Sequence, residues 1–386
     1  MNKNSLVIAA AGSGKTTLLV KTALENPDKS ILITTYTESN EQEIRDKFIK
    51  EVRTVPPNVT IITWFSFLLK HWVRPYQCKL NNLIANERIG FILVNSRSGL
   101  KYKNRSGQGV YWAEKDSFKN YYFTKDFKIY SDKISKFGFS ANKASNQAVI
   151  NRISSLYDMV FIDEVQDLAG FDLELIKLLF KSKSEIVLVG DPRQVTYKTH
   201  HTTKHSEYGN GNIKGFVTSE KTMGKRIACR VDETSLKKSH RCCQAICEYS
   251  SKLYPQFTEV DACGCIDCRR EDIEHKGVFI VPKHLCAQYL KTYNPMQLRW
   301  SVKSKVDLSY EVMNFGESKG LTVDRALIYP TKDMVEWFRN PNRPELLKNP
   351  ARARLYVALT RARHSVAIVL DPHEEEVFAG ATVYRG

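Results

Sequence analysis

The 386-residue sequence predicts an α/β fold of two tandem units with parallel sheets, plus a small inserted subdomain. Three observations carry this. Short β-branched apolar runs alternate with helix-patterned segments at 6–9, 31–35, 59–63, 159–162 and 186–189. Strands that are apolar on both faces belong to a parallel sheet covered on both sides. A second alternating series follows at 277–281, 310–314, 326–329 and 366–370. Between 75 and 151 the alternation gives way to a lysine- and aromatic-rich stretch, which reads as an insertion. The expected organisation is a first unit over 1–75 and 148–235, an inserted basic and aromatic subdomain over 76–147, and a second unit over 236–386. A short cysteine-containing stub is expected near 255–285.

The first strand leads into Ala9-Ala10-Ala11-Gly12-Ser13-Gly14-Lys15-Thr16-Thr17, with a helix-prone continuation. A strand, a glycine-bearing turn and a helix N-terminus place successive backbone N–H groups around one small volume, which suits phosphate. In such a loop Lys15 reaches the β- and γ-phosphates and Thr16 holds Mg²⁺. Ala9 stands where the motif usually has its first glycine.

The insertion carries Tyr102, Tyr111, Trp112, Tyr121 and Tyr122 among Lys101, Lys103, Arg105, Lys115, Lys119 and Lys125. Two readings stay open, a track for a nucleic-acid strand or packing aromatics with solvated lysines. The run 159–162 then ends in Asp163-Glu164-Val-Gln166-Asp167. Beside a phosphate loop, a carboxylate at a strand's C-terminal end can hold Mg²⁺ and a second can polarise the attacking water, roles that fall to Asp163 and Glu164. The next strand delivers Gln194, placed to sense a γ-phosphate, and a polar stretch over 198–215 reads as a long loop. Arg241 and Arg361, in the second unit, suit the charge that develops on a transferred phosphoryl group.

Composition narrows the class. Lys and Arg total 58 against 42 Asp and Glu, a net charge of +16 that points to a polyanionic partner. No stretch approaches the ~18 apolar residues of a membrane span, and no charged-then-apolar leader opens the chain, so a cytoplasmic location is expected. Nine cysteines without a secretory context read as free thiols or metal ligands. Cys263, Cys265 and Cys268, with His275 or Cys247 as a fourth ligand, suit a small structural zinc site; buried thiols are the alternative.

Taken in order, the motifs resemble those of the UvrD/Rep-like superfamily 1 DNA helicases over nearly the whole chain. They are the phosphate loop, Thr34-Thr-Tyr36-Thr37, Thr63-Trp64-Phe65-Ser66, Asp163 to Asp167, Gly190-Asp-Pro-Arg-Gln194, His240-Arg241, Glu317-Ser318-Lys319-Gly320-Leu and Thr360-Arg361-Ala362. The resemblance implies two RecA-like P-loop NTPase domains that hydrolyse ATP in the cleft between them while moving along single-stranded DNA, usually 3′ to 5′. It assigns ATP-site roles to Lys15, Thr16, Asp163, Glu164, Gln194, Arg241 and Arg361, with His240 where the family has an adenine-stacking tyrosine. It sets Tyr36, Trp64, Tyr197, Ser318 and Lys319 against the DNA strand. Stacking aromatics and phosphate-following lysines would bind without regard to sequence.

The chain also departs from the pattern. Met1 to Ser5 stand before the first strand, where the family has a glutamine-bearing segment that reads adenine, so adenine selectivity is left open as an expectation. Thr199 and Thr322 stand where a tryptophan and a ribose-binding glutamate are usual, and Gly320-Leu-Thr-Val-Asp324 looks more like the 5′-to-3′ branch. The large insertion between His240-Arg241 and Lys319-Gly320 is reduced to a stub. A second function stays open, a non-unwinding ATP-driven switch that loads or licenses a partner nuclease, with cleavage expected in trans because little sequence follows Arg363. RNA stays open as a substrate beside DNA, because stacking and phosphate contacts do not distinguish the sugars.

Overall fold

The computed structural model describes residues 3–196, 204–225, 227–268 and 273–386. Two six-stranded sheets dominate it, and the fold is α/β as predicted. The first sheet runs in the order Arg230–Leu236, Asn4–Ala9, Glu185–Gly190, Met159–Ile162, Ile31–Thr35, Val59–Thr63. Ile31–Thr35 pairs in parallel with Val59–Thr63 and with Met159–Ile162, which pairs in parallel with Glu185–Gly190. Ile31–Thr35 and Met159–Ile162 are buried at every residue, which is why they read as unbroken apolar runs. Parallel pairing brings their C-terminal ends to one edge, and Tyr36, Trp64 and Asp163 each follow such an end.

The second sheet runs Val312–Asn314, Met296–Arg299, Val323–Tyr329, Ala362–Val369, Gly277–Val281, Thr382–Val383, with every neighbouring pair parallel. Its apolar core joins Tyr249, Trp337, Phe338, Leu355 and Tyr356, and includes Ala10 and Ala11 of the phosphate loop.

Three strands of these two sheets escape the apolar-run criterion. Arg230–Leu236 is a sheet edge, where polar side chains face water, and Thr382–Val383 is an edge only two residues long. Met296–Arg299 is interior but carries Gln297, fully buried. The Gln297 amide donates to the Asp307 carbonyl at 2.6 Å and accepts from the Asp307 N–H and the Tyr329 hydroxyl. A buried amide with its bonds made is tolerated, and it hides the strand from a hydropathy reading. The described part of the polar stretch 198–215 is more ordered than a long loop. It contains the short helix Ser206–Tyr208 and the start of the helix Ile213–Thr218, with His205 Nε2 at 2.8 Å from Glu174 Oε1.

The chain divides into two compact units. One comprises Met1–Val7, Thr16–Gly190 and Tyr197–Val231; the other comprises Ile8–Lys15, Asp191–Thr196 and Asp232–Gly386. The first contains the basic, aromatic segment, organised as a parallel pair Gly90–Ile92 with Lys128–Tyr130 and an antiparallel hairpin Leu100–Lys103 with Gly109–Tyr111. Its two readings divide by residue. Tyr122 is buried among Phe118, Phe123 and Phe137, whereas the hairpin exposes Tyr102 and lays Lys101 over the Trp112 ring at 4.4 Å. Among the described residues no helix is long and apolar enough to cross a membrane.

Candidate active site

In the first unit, Asp163 leaves the end of its strand with its N–H bonded to the Thr34 carbonyl at 2.8 Å, and its Oδ2 lies 3.5 Å from Thr35 Oγ1. Glu164 follows in the left-handed region, φ 54°, a conformation that costs a non-glycine residue. Only 7% exposed, it accepts a hydrogen bond from Gln166 Nε2 at Oε2. Gly190 makes room for this pair, because a Cβ there would strike the Gln166 amide oxygen. Thr16 Oγ1 donates to Glu43 Oε1 at 3.0 Å. Hydroxyl and carboxylate oxygens are the donors Mg²⁺ prefers, so Thr16 and Asp163 fit a magnesium role.

In the second unit, the phosphate loop turns through Gly12 (φ 71°) and Gly14 (φ 91°) before the helix Lys15–Leu24. A Cβ on Gly12 would lie 2.6 Å from Arg241 Cβ and 2.9 Å from Ser239 Oγ, so only glycine allows that approach. The loop is tied down by Ala10 N–H to the Leu236 carbonyl and His240 N–H to the Gly12 carbonyl, both 2.8 Å. Ser13 Oγ is buried without a hydrogen-bond partner among the described residues. A buried hydroxyl in a glycine-rich turn at a helix start is what a phosphate oxygen would satisfy, so the loop fits a nucleotide phosphate.

Asp191 organises the next segment, accepting from the Arg193 N–H at 3.1 Å and from Gln194 Nε2 at 2.8 Å. Arg361, 2% exposed, donates through Nε to the Val357 carbonyl at 3.0 Å and through Nη1 to the Leu321 carbonyl at 3.1 Å. Its Nη1 also lies 3.5 Å from the Ser318 carbonyl and its Nη2 3.4 Å from Gln194 Oε1. Lys319 Nζ donates to the Gln194 carbonyl at 3.2 Å, and Arg241 Nη1 to the Thr360 carbonyl at 3.1 Å. Gln194, Arg361, Ser318 and Lys319 therefore form one hydrogen-bonded cluster. Burial, reinforced by Asp191, pushes the Tyr356 hydroxyl above its ordinary range. The Cys242 thiol is held below the thiol range, first by its hydrogen bond with Cys247 and then, against burial, by Arg241.

The residues expected against a strand fare differently. Tyr36 is half-buried, with its ring 5.6 Å from Phe65. Trp64 is a core residue, 1% exposed, its ring 5.5 Å from Phe67 and its Nε1–H bonded to Asp172 Oδ1 at 2.9 Å. Its face is not available to a base, and packing replaces the expected stacking. Trp64→Ala is expected to destabilise the fold by about 3–5 kcal/mol, measured by chemical denaturation. Unchanged stability with lost strand binding would restore the stacking role. Ser318 is buried too, its hydroxyl donating to the Phe315 carbonyl at 2.8 Å. Tyr197 lies outside the described residues.

The cysteines assemble, but with a different fourth partner. His275 stacks on Phe279 at 3.7 Å and its Nε2 lies 2.9 Å from the Tyr289 hydroxyl, while the Cys247 thiol donates to the Cys242 carbonyl. Neither joins Cys263, Cys265 and Cys268. His240 does, with Nδ1 3.4 Å from Cys265 Sγ and 3.6 Å from Cys268 Sγ. The ring expected beside an adenine is turned to thiols instead.

Glu43, Asp172 and Asp191 went unremarked in the sequence. Glu43 lay in an ordinary charged helix, and Asp172 shows itself only in the folded chain, where it accepts from the distant Trp64 and Ser135. Asp191 had a signal, since an aspartate before Pro-Arg-Gln is a cap position.

Among known proteins, the family described as AAA domain matches residues 1–200. The RecBCD enzyme subunit RecB of Borreliella burgdorferi is 26% identical over 96 residues, 25% of this chain and 8% of that protein. Two solved structures of Arterivirus nonstructural protein 10 (helicase) were also found. The one with DNA matches at TM-score 0.45 and 14% identity, over 96% of this chain and 62% of the other. The other matches at TM-score 0.43 and 15% identity, over 96% and 60%. The chain thus spans less than two thirds of the length of each of these relatives.

Proposed function

Because the chain belongs to the AAA domain family, we propose that it is an Mg²⁺-dependent ATPase driving movement along single-stranded DNA, a superfamily 1 helicase of UvrD/Rep type working 3′ to 5′. The observation that carries this reading is the cluster in which Arg361 and Lys319 both bond to Gln194. A γ-phosphate sensor, a cation for phosphoryl charge and the motif assigned to the DNA strand are joined by direct hydrogen bonds. A change at Gln194 on hydrolysis thereby has a short mechanical route to the Ser318-Lys319-Gly320 turn.

On this reading the loop N–H groups of residues 10–17 and Lys15 hold the phosphates, and Thr16 and Asp163 hold Mg²⁺, which would neutralise charge between the phosphates. Glu164 orients the attacking water and accepts its proton. Arg241 and Arg361 meet the charge that builds on the transferred group. The net charge of +16 supports a polyanionic track.

The test is ATP turnover in the presence of single-stranded DNA, duplexes with either overhang, and RNA. Single-stranded DNA is expected to stimulate most, with displacement of the duplex bearing a 3′ overhang. Lys15→Ala is expected to abolish the stimulated turnover while DNA binding persists. Stimulation retained in Lys15→Ala refutes the site, and preference for RNA or a 5′ overhang refutes the substrate or polarity. Stimulation without displacement replaces the helicase by an ATP-driven switch acting for a partner nuclease.

A further inference from the structure

We propose that His240, Cys263, Cys265 and Cys268 bind one zinc ion, and that this ion fixes the backbone segment carrying Arg241. The four ligand atoms all lie within 4.8 Å of one another. Zinc bonds of about 2.3 Å to sulfur and 2.0–2.1 Å to nitrogen place neighbouring tetrahedral S and N ligands about 3.5 Å apart. The Nδ1 atom of His240 stands 3.4 and 3.6 Å from the sulfurs of Cys265 and Cys268. The Cys263 and Cys265 sulfurs, 3.0 Å apart, need a small outward turn to reach the roughly 3.8 Å of a tetrahedral S···S edge. Three soft sulfurs with one imidazole select zinc among the common divalent ions, and the thiols bind as thiolates, releasing their protons to solvent.

The backbone gives the site its consequence. Lys238–Ser239 and Asp261–Ala262 form a two-residue parallel pair, and the Cys263 N–H continues it to the Ser239 carbonyl at 2.8 Å. So short a ladder has little stability of its own. His240 leaves one strand and Cys263 the other, so a shared ion clamps the pair at its open end. The clamped turn is the one that binds the Gly12 carbonyl through His240 N–H and holds the Arg241 and Cys242 N–H groups on Ser239 Oγ at 3.3 and 3.1 Å. Zinc would thus act as a positioning element for Arg241, one bond removed from the phosphate loop. The positioning role rests on the ATPase reading above; the metal site does not.

Full-length protein purified without chelator is expected to contain one zinc per chain, and cobalt in its place to show the d–d absorption of a tetrahedral thiolate site. Cys265→Ser and His240→Ala are expected to lose the metal, whereas His240→Cys and the remote Cys78→Ser keep it. Stripping zinc from the wild-type protein is expected to raise amide hydrogen exchange across 238–243. It should also lower kcat for ATP by roughly 10–100-fold with KM changed less than about twofold. Metal-free protein, iron in place of zinc, zinc retained by Cys265→Ser, or exchange at 238–243 indifferent to zinc would overturn the inference. Zinc and its exchange signature in a protein without ATP turnover would refute the helicase reading alone; turnover without zinc would do the reverse.

Discussion

Glu164→Gln is expected to slow ATP turnover by about 10²–10⁴-fold while nucleotide binding stays close to that of the wild type. Glutamine has the same shape, and its carbonyl oxygen can keep the hydrogen bond from Gln166 Nε2. The left-handed backbone at 164 is already accommodated and does not depend on the carboxylate. What disappears, on the proposed role of Glu164, is the proton acceptor and its charge. The effect therefore belongs to the chemical step, and a factor of this size corresponds to about 3–5 kcal/mol in the barrier. Single-turnover hydrolysis alongside binding of a fluorescent ATP analogue separates the two. A rate within a few-fold of wild type, or loss of binding together with rate, would remove Glu164 from the catalytic role.

The second large effect is expected at Arg361. Arg361→Ala should lower turnover by about 10³–10⁵-fold if the guanidinium meets phosphoryl charge. It should also cost stability, because the Val357 and Leu321 carbonyls and Gln194 Oε1 each lose a donor, the Val357 and Gln194 contacts being buried. An orphaned buried acceptor costs about 1–3 kcal/mol. Arg361→Lys distinguishes the contributions, since lysine keeps the charge but lacks the planar fork that reaches several acceptors at once. Denaturation curves for both variants, followed by ATPase assays on the folded fraction, make the measurement. A folded Arg361→Ala protein that turns over normally would reduce Arg361 to a brace between Ser318, Leu321 and Gln194.

Much of the first sheet was legible because its central strands are buried on both faces and therefore written in β-branched residues. Ile31–Thr35, Val59–Thr63, Met159–Ile162 and Gly277–Val281 lie where the apolar runs placed them. The edge strands Arg230–Leu236 and Thr382–Val383 and the Gln297 strand were not legible, because one is polar and faces water, one is only two residues long, and one buries an amide satisfied by partners elsewhere in the chain. The phosphate loop was legible because its glycines answer a local demand: Gly12 and Gly14 both take positive φ.

The α/β class, the parallel strands, the glycine turn before Lys15 and the acids at the end of Met159–Ile162 are readable from the residues alone, since each depends on neighbours in the chain. The surroundings of the aromatic and polar motif residues come from packing. Trp64 became a core residue because Asp172, 108 positions away, takes its indole hydrogen. Arg361 met Gln194 across 167 positions, and His240 turned toward Cys265 and Cys268 across 25 and 28. Burial and hydrogen-bond partnership at such separations follow from how strands and helices pack, and the local pattern that places a residue on an element carries no record of what that packing brings beside it.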